Sequence, residues 1–174
     1  MEAGNRDKVV LALMSRHGDE VFAYCCESLD DPALADDVVQ KVFVEVHRAL
    51  HKFRGDSKFR TWIFAIARNR VIDAIRERRR ALKRAGALPD DAADLSPLPS
   101  ELLDHERMCA ALRACLAELR EEIRTALLLR YQQGFSYEEM ALVCNEKPGT
   151  LQARVARALP ILKACIERKM GGAM

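Results

Sequence analysis

A stretch that can be neither helix nor strand sets the architecture of this chain. AGALPDDAADLSPLPSE (85–101) holds three prolines, small residues and acids, and no apolar residue recurs in it with a helical period. Proline fixes φ and lacks a backbone donor, so the stretch reads as a linker. It divides the chain into residues 1–83 and 106–174, with 84–105 between them. The charge changes sign at the same place. Eight basic and two acidic residues between Arg68 and Arg84 give +6, whereas one basic and six acidic residues between Ala85 and Met108 give −5. A chain of 174 residues divided in this way reads as two small domains, the first ending in a polyanion-binding face and followed by an acidic tether.

Both blocks carry helical periodicity. Residues 6–29 read as a first helix. Asp31-Pro32 then has the form of an N-cap followed by proline at the first helical position. Leu34, Val38, Val42, Val46 and Leu50 recur every four residues as one apolar stripe. FRGDSKF (53–59) interrupts it with Gly55, and Asp56 or Ser57 is placed to cap a third helix. That helix should bury Trp62, Ile63, Ile66, Ala67, Val71 and Ile75 and expose Arg68, Arg76 and Arg79. In the second block, Leu112, Cys115, Leu116 and Leu119 form an i, i+3, i+4, i+7 stripe. A helix over about 121–133 can end at Gly134. Ser136 and Glu139 fit a capping box for a short helix 137–144. NEKPG (145–149) is a turn, and Thr150 starts the last helix. The expected fold class is all-α: two small helical domains on a flexible acidic linker.

Several function classes are disfavoured. The four histidines (17, 47, 51, 105) are scattered, HRALH lacks the glutamate of a zinc-protease motif, and the chain has no glycine-rich phosphate loop and no GxSxG. An enzyme is therefore the least favoured reading, and no catalytic residue, cofactor or metal is expected. No run of 18 apolar residues exists and MEAGNRDK lacks a signal-peptide layout, which points to the cytoplasm without membrane insertion. The six cysteines form no CxxC pair and read as reduced, mostly packing thiols, although His105 and Cys109 are four apart and could share a metal.

Two segments carry chemistry. Residues 135–159 have the layout of a helix-turn-helix. At 100° per residue, Leu151, Val155, Ala158 and Leu162 fall on one stripe of the last helix, facing the core. Gln152, Ala153, Ala156 and Arg157 fall on the opposite stripe. There two alanines permit close approach to base edges, and Gln and Arg can make bidentate contacts. Arg154 lies to the side, suited to a phosphate. Residues 53–80 join a polar loop and Trp62 to a dense arginine run, a pairing suited to opened or single-stranded DNA. Trp62 itself reads more readily as core.

The residues 35–80, which include FRGDSKFRTWIFAIARN, resemble the second conserved region of extracytoplasmic-function (ECF) sigma factors. Residues 112–158, with GFSYEE (134–139) and KPGT (147–150), resemble their fourth. Together they cover about 93 of 174 residues in matching order. The resemblance implies a specificity subunit of RNA polymerase. Asp36, Asp37, Gln40 and Phe43 would dock on the clamp helices of core RNA polymerase. Phe53, Arg54, Gly55, Asp56, Ser57 and Lys58, with Asn69, would capture a flipped base of the minus-ten element, readable in full only outside the duplex. Arg76, Arg78, Arg79 and Arg80 would track phosphates. Thr150, Gln152, Ala153, Arg154, Ala156 and Arg157 would meet the minus-thirty-five element. An anti-sigma factor is the implied restraining partner, and promoter DNA the implied substrate. A sigma-like helical adaptor, or a cysteine-based metal or redox regulator, is the competing reading.

This chain departs from the family pattern in places. Gln152 and Ala153 stand where Lys or Arg and then Ser are common, and Lys41 stands where an acid is usual. Pro160 falls within the last helix and should kink or stop it. PILKACIERK (160–169) replaces an arginine-rich continuation.

Overall fold

The computed structural model describes residues 3–85 and 104–171. The described residues form helices, with no strand among them. α1 spans Ala3–Leu29, α2 Pro32–Ala49 and α3 Phe59–Arg84; α4 spans Asp104–Ala117, α5 Glu121–Leu127, α6 Tyr137–Cys144 and α7 Pro148–Gly171. A 3-10 turn, Leu50–Lys52, follows α2, and a π turn, Leu128–Gln132, follows α5. The proposed linker lies outside the described residues apart from its edges.

Local signals place most helix ends. The Asp31 carboxylate accepts from the Leu34 amide at 3.0 Å, with Pro32 opening α2. Ser136 and Glu139 form the full capping box of α6: the Ser136 hydroxyl accepts from the Glu139 amide at 3.1 Å, and the Glu139 carboxylate accepts from the Ser136 amide at 3.0 Å. Gly134 has φ +67 where the π turn ends, a conformation that costs glycine little. α3 differs from expectation: Lys58 is its N-cap residue and no side chain caps it, because Asp56 is held by Arg54 instead.

The core stripes pack as their periods require. Val38, Val42, Val46 and Leu50 are buried under α1 and α3, each side chain contributing about 1.5–3 kcal/mol. Ile63, Ile66, Ala67 and Val71 are buried on α3, whereas Trp62 and Ile75 are half-buried at its margin. Leu151, Val155 and Ala158 are buried on α7, with Leu162 packed against them. Leu112 is exposed: it lines an open apolar groove of about 530 Å³ with Leu116, Leu127, Leu128, Leu159 and Leu162.

The two blocks do not stand apart. One continuous core runs from Val10 in α1 to Ala158 in α7. Tyr24, Phe64 and Phe135, all fully buried, link it: Tyr24 to Phe64 at 5.6 Å between ring centroids, and Phe64 edge-on to Phe135 at 5.1 Å. α6 lies along α3, and the π turn lies on α1.

Two further expectations are corrected. Cys115 of α4 and Cys165 of α7 form a disulfide, with Cα atoms 5.9 Å apart and a sequence separation of 50. Not all six thiols are reduced, and no local spacing could have revealed a pair brought together only by helix packing. Cys25 and Cys144 are buried thiols, as expected of packing cysteines. α7 does not stop at Pro160 but runs on to Gly171, its second half held by Leu162 and by the bond to α4.

Candidate nucleic-acid interface

The loop before α3 is built on an aromatic stack. Phe53 lies on Phe59 with centroids 4.1 Å apart, and tilts against Trp62 at 5.2 Å. Gly55, at φ +81, turns the chain where another residue would be strained. Arg54 donates to Asp56 at 3.1 Å, and the Ser57 hydroxyl to its neighbour's carbonyl at 3.4 Å. Lys58 meets Glu139 of α6 at 3.0 Å. Glu139 has its pKa lowered, first by the Ser136 amide and then by Lys58.

Asn69 is exposed, nearly three turns into α3 from Phe59. Arg76, Arg79 and Arg80 are exposed further along. Arg78 is partly engaged, donating to the last carbonyl of α1 at Leu29 over 3.4 Å. Across from this run sits the start of α5. Burial and its neighbour Glu122 raise the pKa of Glu121, against the charges of Arg68, Arg76 and Arg79.

On the helix-turn-helix, Thr150, Gln152, Ala153, Ala156 and Arg157 are all exposed, opposite the buried Leu151, Val155 and Ala158. Arg157 rests on its own helix, Nε donating to the Ala153 carbonyl at 3.2 Å. Arg154 is not free for a phosphate as expected. Its guanidinium makes a two-pronged bond to Glu146, at 2.9 and 2.5 Å. The pair shifts both groups, Glu146 downward and Arg154 upward. Glu146 lies in the turn, where Asn145 adopts φ +54 and swings the chain back toward α7.

On α2, Asp36, Asp37 and Gln40 are exposed on one face, with Gln40 donating to Asp36 at 3.0 Å. Phe43 is corrected: it is 4% exposed and belongs to the core, because Val42, Phe43 and Val46 together span the inner face. Its neighbour Val44 is half exposed, and Phe43 supplies only the floor of a shallow site walled by Met14, Gln40, Val44 and His47.

Cys109 Sγ lies 3.7 Å from His105 Nε2, but among the described residues no group of three potential metal ligands forms. No described helix is long and apolar enough to cross a membrane.

Sequence reasoning missed the joint between the blocks. Arg60 of α3 donates through Nε to Glu20 of α1 at 2.8 Å and through Nη2 to the Gln133 carbonyl at 2.7 Å. Its guanidinium also lies 4.2 Å from the centre of the Phe135 ring. Glu20 is pulled below its usual value by Arg60 and His17 in spite of burial. The only local signal was an arginine inside an otherwise apolar turn.

A helix-turn-helix with a clear outward face, joined to a second helical unit that presents a polar loop and an arginine run, defines a two-part helical DNA-reading protein. The chain belongs to the ECF family of RNA polymerase sigma factors. Residues 13–81 match the Sigma-70 region 2 family and residues 109–160 the Sigma-70, region 4 family. The chain is 30% identical over 155 residues to the RNA polymerase sigma-H factor of Pseudomonas aeruginosa, covering 84% of this chain and 80% of that protein. It is 33% identical over 137 residues to the ECF RNA polymerase sigma-E factor of Escherichia coli, covering 70% and 68%. Its fold matches that of the sigma factor RpoE in a complex with the anti-sigma factor NepR from Bartonella quintana, with TM-score 0.73, 22% identity and coverage of 94% and 98%.

Proposed function

We propose that this sigma factor acts in the cytoplasm as a non-enzymatic initiation subunit, and that its promoter reading is divided between the two faces described above. Asp36, Asp37 and Gln40 meet core polymerase. Phe53 to Lys58 and Asn69 receive an unpaired base of the minus-ten element. The aromatic stack offers a surface for that base, and Arg76, Arg79 and Arg80 hold the adjoining phosphates. Gln152, Ala153, Ala156 and Arg157 read the minus-thirty-five element in the major groove. An anti-sigma factor restrains the chain; the RpoE of the solved structure is in complex with one.

The observation that carries this reading is the exposure of Asn69, Gln152 and Arg157 on helices whose opposite faces are fully buried. Such polar side chains are available to DNA without disturbing the core. The test is in vitro transcription with core polymerase on a promoter library. Asn69→Ala should weaken or redirect use of the minus-ten element. Arg157→Ala should relax one position of the upstream element, by about 1–3 kcal/mol of discrimination. Transcripts identical to those of the parent chain in both variants would refute the residue assignments, and the absence of any specific transcript would refute the division of reading.

A further inference from the structure

We infer that Cys115 and Cys165 are a thiol pair that peroxide oxidises and a dithiol reduces, and that the bond between them governs how firmly α7 presents its upstream reading face. The inference rests on the promoter-reading roles and the cytoplasmic setting proposed above.

Where RNA polymerase works, glutathione and dithiol proteins keep thiols reduced, and a disulfide found there is as a rule transient. Cys115 and Cys165 stand on two packed helices with Cα atoms 5.9 Å apart, close enough to bond without backbone movement. Such a pair closes when an oxidant arrives and reopens when it is gone.

The surroundings of Cys165 favour the reactive form of a thiol. Its sulfur lies 3.7 Å from Nη2 of Arg168 and 3.6 Å from Oε2 of Glu118. The Glu118 carboxylate is itself held by Arg168 at 3.5 Å and by Lys169 at 3.0 Å. Two cations against one carboxylate leave a net positive charge beside the sulfur. A cation so placed stabilises the thiolate, which is the nucleophile. Cys165 is 8% exposed and Cys115 only 1%. Cys165 is therefore the sulfur that meets the oxidant, and Cys115 the one that resolves it.

With hydrogen peroxide as the oxidant, the Cys165 thiolate attacks one peroxide oxygen. An S–O bond forms, the O–O bond breaks, and hydroxide leaves with the electron pair. Cys115 then attacks the Cys165 sulfenic acid; the S–S bond forms, the S–O bond breaks, and a second hydroxide leaves. The two hydroxides take up the two thiol protons, so two thiols lose two electrons and one peroxide becomes two waters. In the reverse direction a dithiol gives up two electrons and two protons, becomes a disulfide, and leaves Cys115 and Cys165 as thiols.

The bond holds the part of α7 that backs the reading face. Gln152 to Arg157 carry that face, and Pro160 follows within one turn of Arg157. Proline has no amide to donate to the Ala156 carbonyl, so α7 is weakest there. Past Pro160, Cys165 is the one buried residue among the described residues of α7. Bonded to α4, it anchors about three turns of helix. Reduced, those turns lose their covalent anchor and fray back toward Pro160, and Arg157 loses the turn that follows it. A frayed reading face must be ordered as it enters the groove, which weakens binding.

The experiment uses the full chain with core polymerase. The chain is fully reduced, and hydrogen peroxide is added at about one equivalent. Mass spectrometry after alkylation follows all six cysteines. Transcription is read from a promoter with its upstream element intact and from one with that element scrambled. The Cys115–Cys165 bond should form ahead of any reaction at the half-buried Cys26 and Cys109, and dithiothreitol should reverse it in the folded chain. Arg168→Gln should slow bond formation about two- to fivefold, the modest effect of a largely exposed cation. Lys163→Gln should not slow it, because Lys163 pairs with Glu167 at 3.8 Å instead. Oxidation should raise transcription from the intact promoter about three- to tenfold, the ordering cost of one or two side chains. The scrambled promoter and the Cys165→Ser chain should not respond. Peroxide reacting first at Cys26 or Cys109 would overturn the thiol pair. So would a bond that dithiothreitol cannot open in the folded chain, or equal slowing in Arg168→Gln and Lys163→Gln. A bond that cycles while transcription from the intact promoter stays level would overturn its hold on α7. Absence of promoter-specific transcripts in both redox states would sink the promoter-reading roles, and with them the hold on reading, while the thiol pair would stand or fall on the mass spectra.

Discussion

Replacing Glu146 by Gln tests whether the helix-turn-helix is braced by its own ion pair. Glu146 in the turn and Arg154 on α7 are about three-quarters buried, with side-chain exposures of 26% and 21%. Two charge-assisted hydrogen bonds join them, at 2.9 and 2.5 Å. A hydrogen bond to a charged group is worth about 1.5–3 kcal/mol, and partial exposure reduces the loss expected here to about 1–2 kcal/mol. For a chain of this size each kcal/mol moves the melting midpoint by about 2–4 °C, so Glu146→Gln should melt about 2–8 °C lower at pH 7. Arg154 holds the Glu146 pKa below its ordinary 4.5. A carboxylate with a depressed folded pKa stabilises the fold fully above its unfolded value and loses that contribution as pH falls through the folded one. The gap between the parent chain and the variant should therefore close between about pH 5 and pH 3. Released from Glu146, Arg154 becomes available to a phosphate, and the dependence of duplex affinity on salt should steepen by about one ion. Thermal melts monitored by circular dichroism at pH 7 and pH 3, with a salt titration of duplex binding, provide the measurements. A gap absent at pH 7, or undiminished at pH 3, would refute the reasoning.

Two further outcomes follow from the core. Phe135→Ala removes a fully buried ring between Phe64 and Arg60 and should cost about 3–5 kcal/mol, lowering the midpoint by about 6–20 °C; a shift under about 2 °C would mean that the two halves do not share this core. Reduction of the Cys115–Cys165 bond, which closes a loop of about 50 residues around α5, α6 and most of α7, should destabilise the C-terminal half by about 2–4 kcal/mol. Cys165→Ser should melt at the reduced protein's midpoint and ignore reductant, and a parent chain equally stable with and without reductant would contradict the bond.

The helices of this protein were largely legible because their causes are local. Asp31-Pro32, the Ser136 and Glu139 box and Gly134 each act within a turn of the residues they cap. The spacing of Val38, Val42 and Val46, or of Leu151, Val155 and Ala158, fixes which side of a helix turns inward. The outward positions Gln152, Ala153, Ala156 and Arg157 followed from the same angles. Local reading failed where a charged partner displaced the expected one. Asp56 took Arg54 rather than the end of α3, and Arg154 found Glu146 eight residues back. Phe43, placed on the outer face by likeness, is drawn inward by the core between Val42 and Val46.

What the sequence determined by itself was the all-helical class, the division into two blocks, the outward face of α7 and the family. These depend on period, charge and motif, which are properties of neighbours along the chain. Only the tertiary structure decided that the blocks share a core, that Cys115 meets Cys165, and that Arg60 ties α1 and α3 to the π turn and Phe135. Those contacts join residues tens of positions apart. No periodicity encodes such a pairing; it emerges when amphipathic helices compete for the same apolar surface and one arrangement also satisfies the charges at its edge.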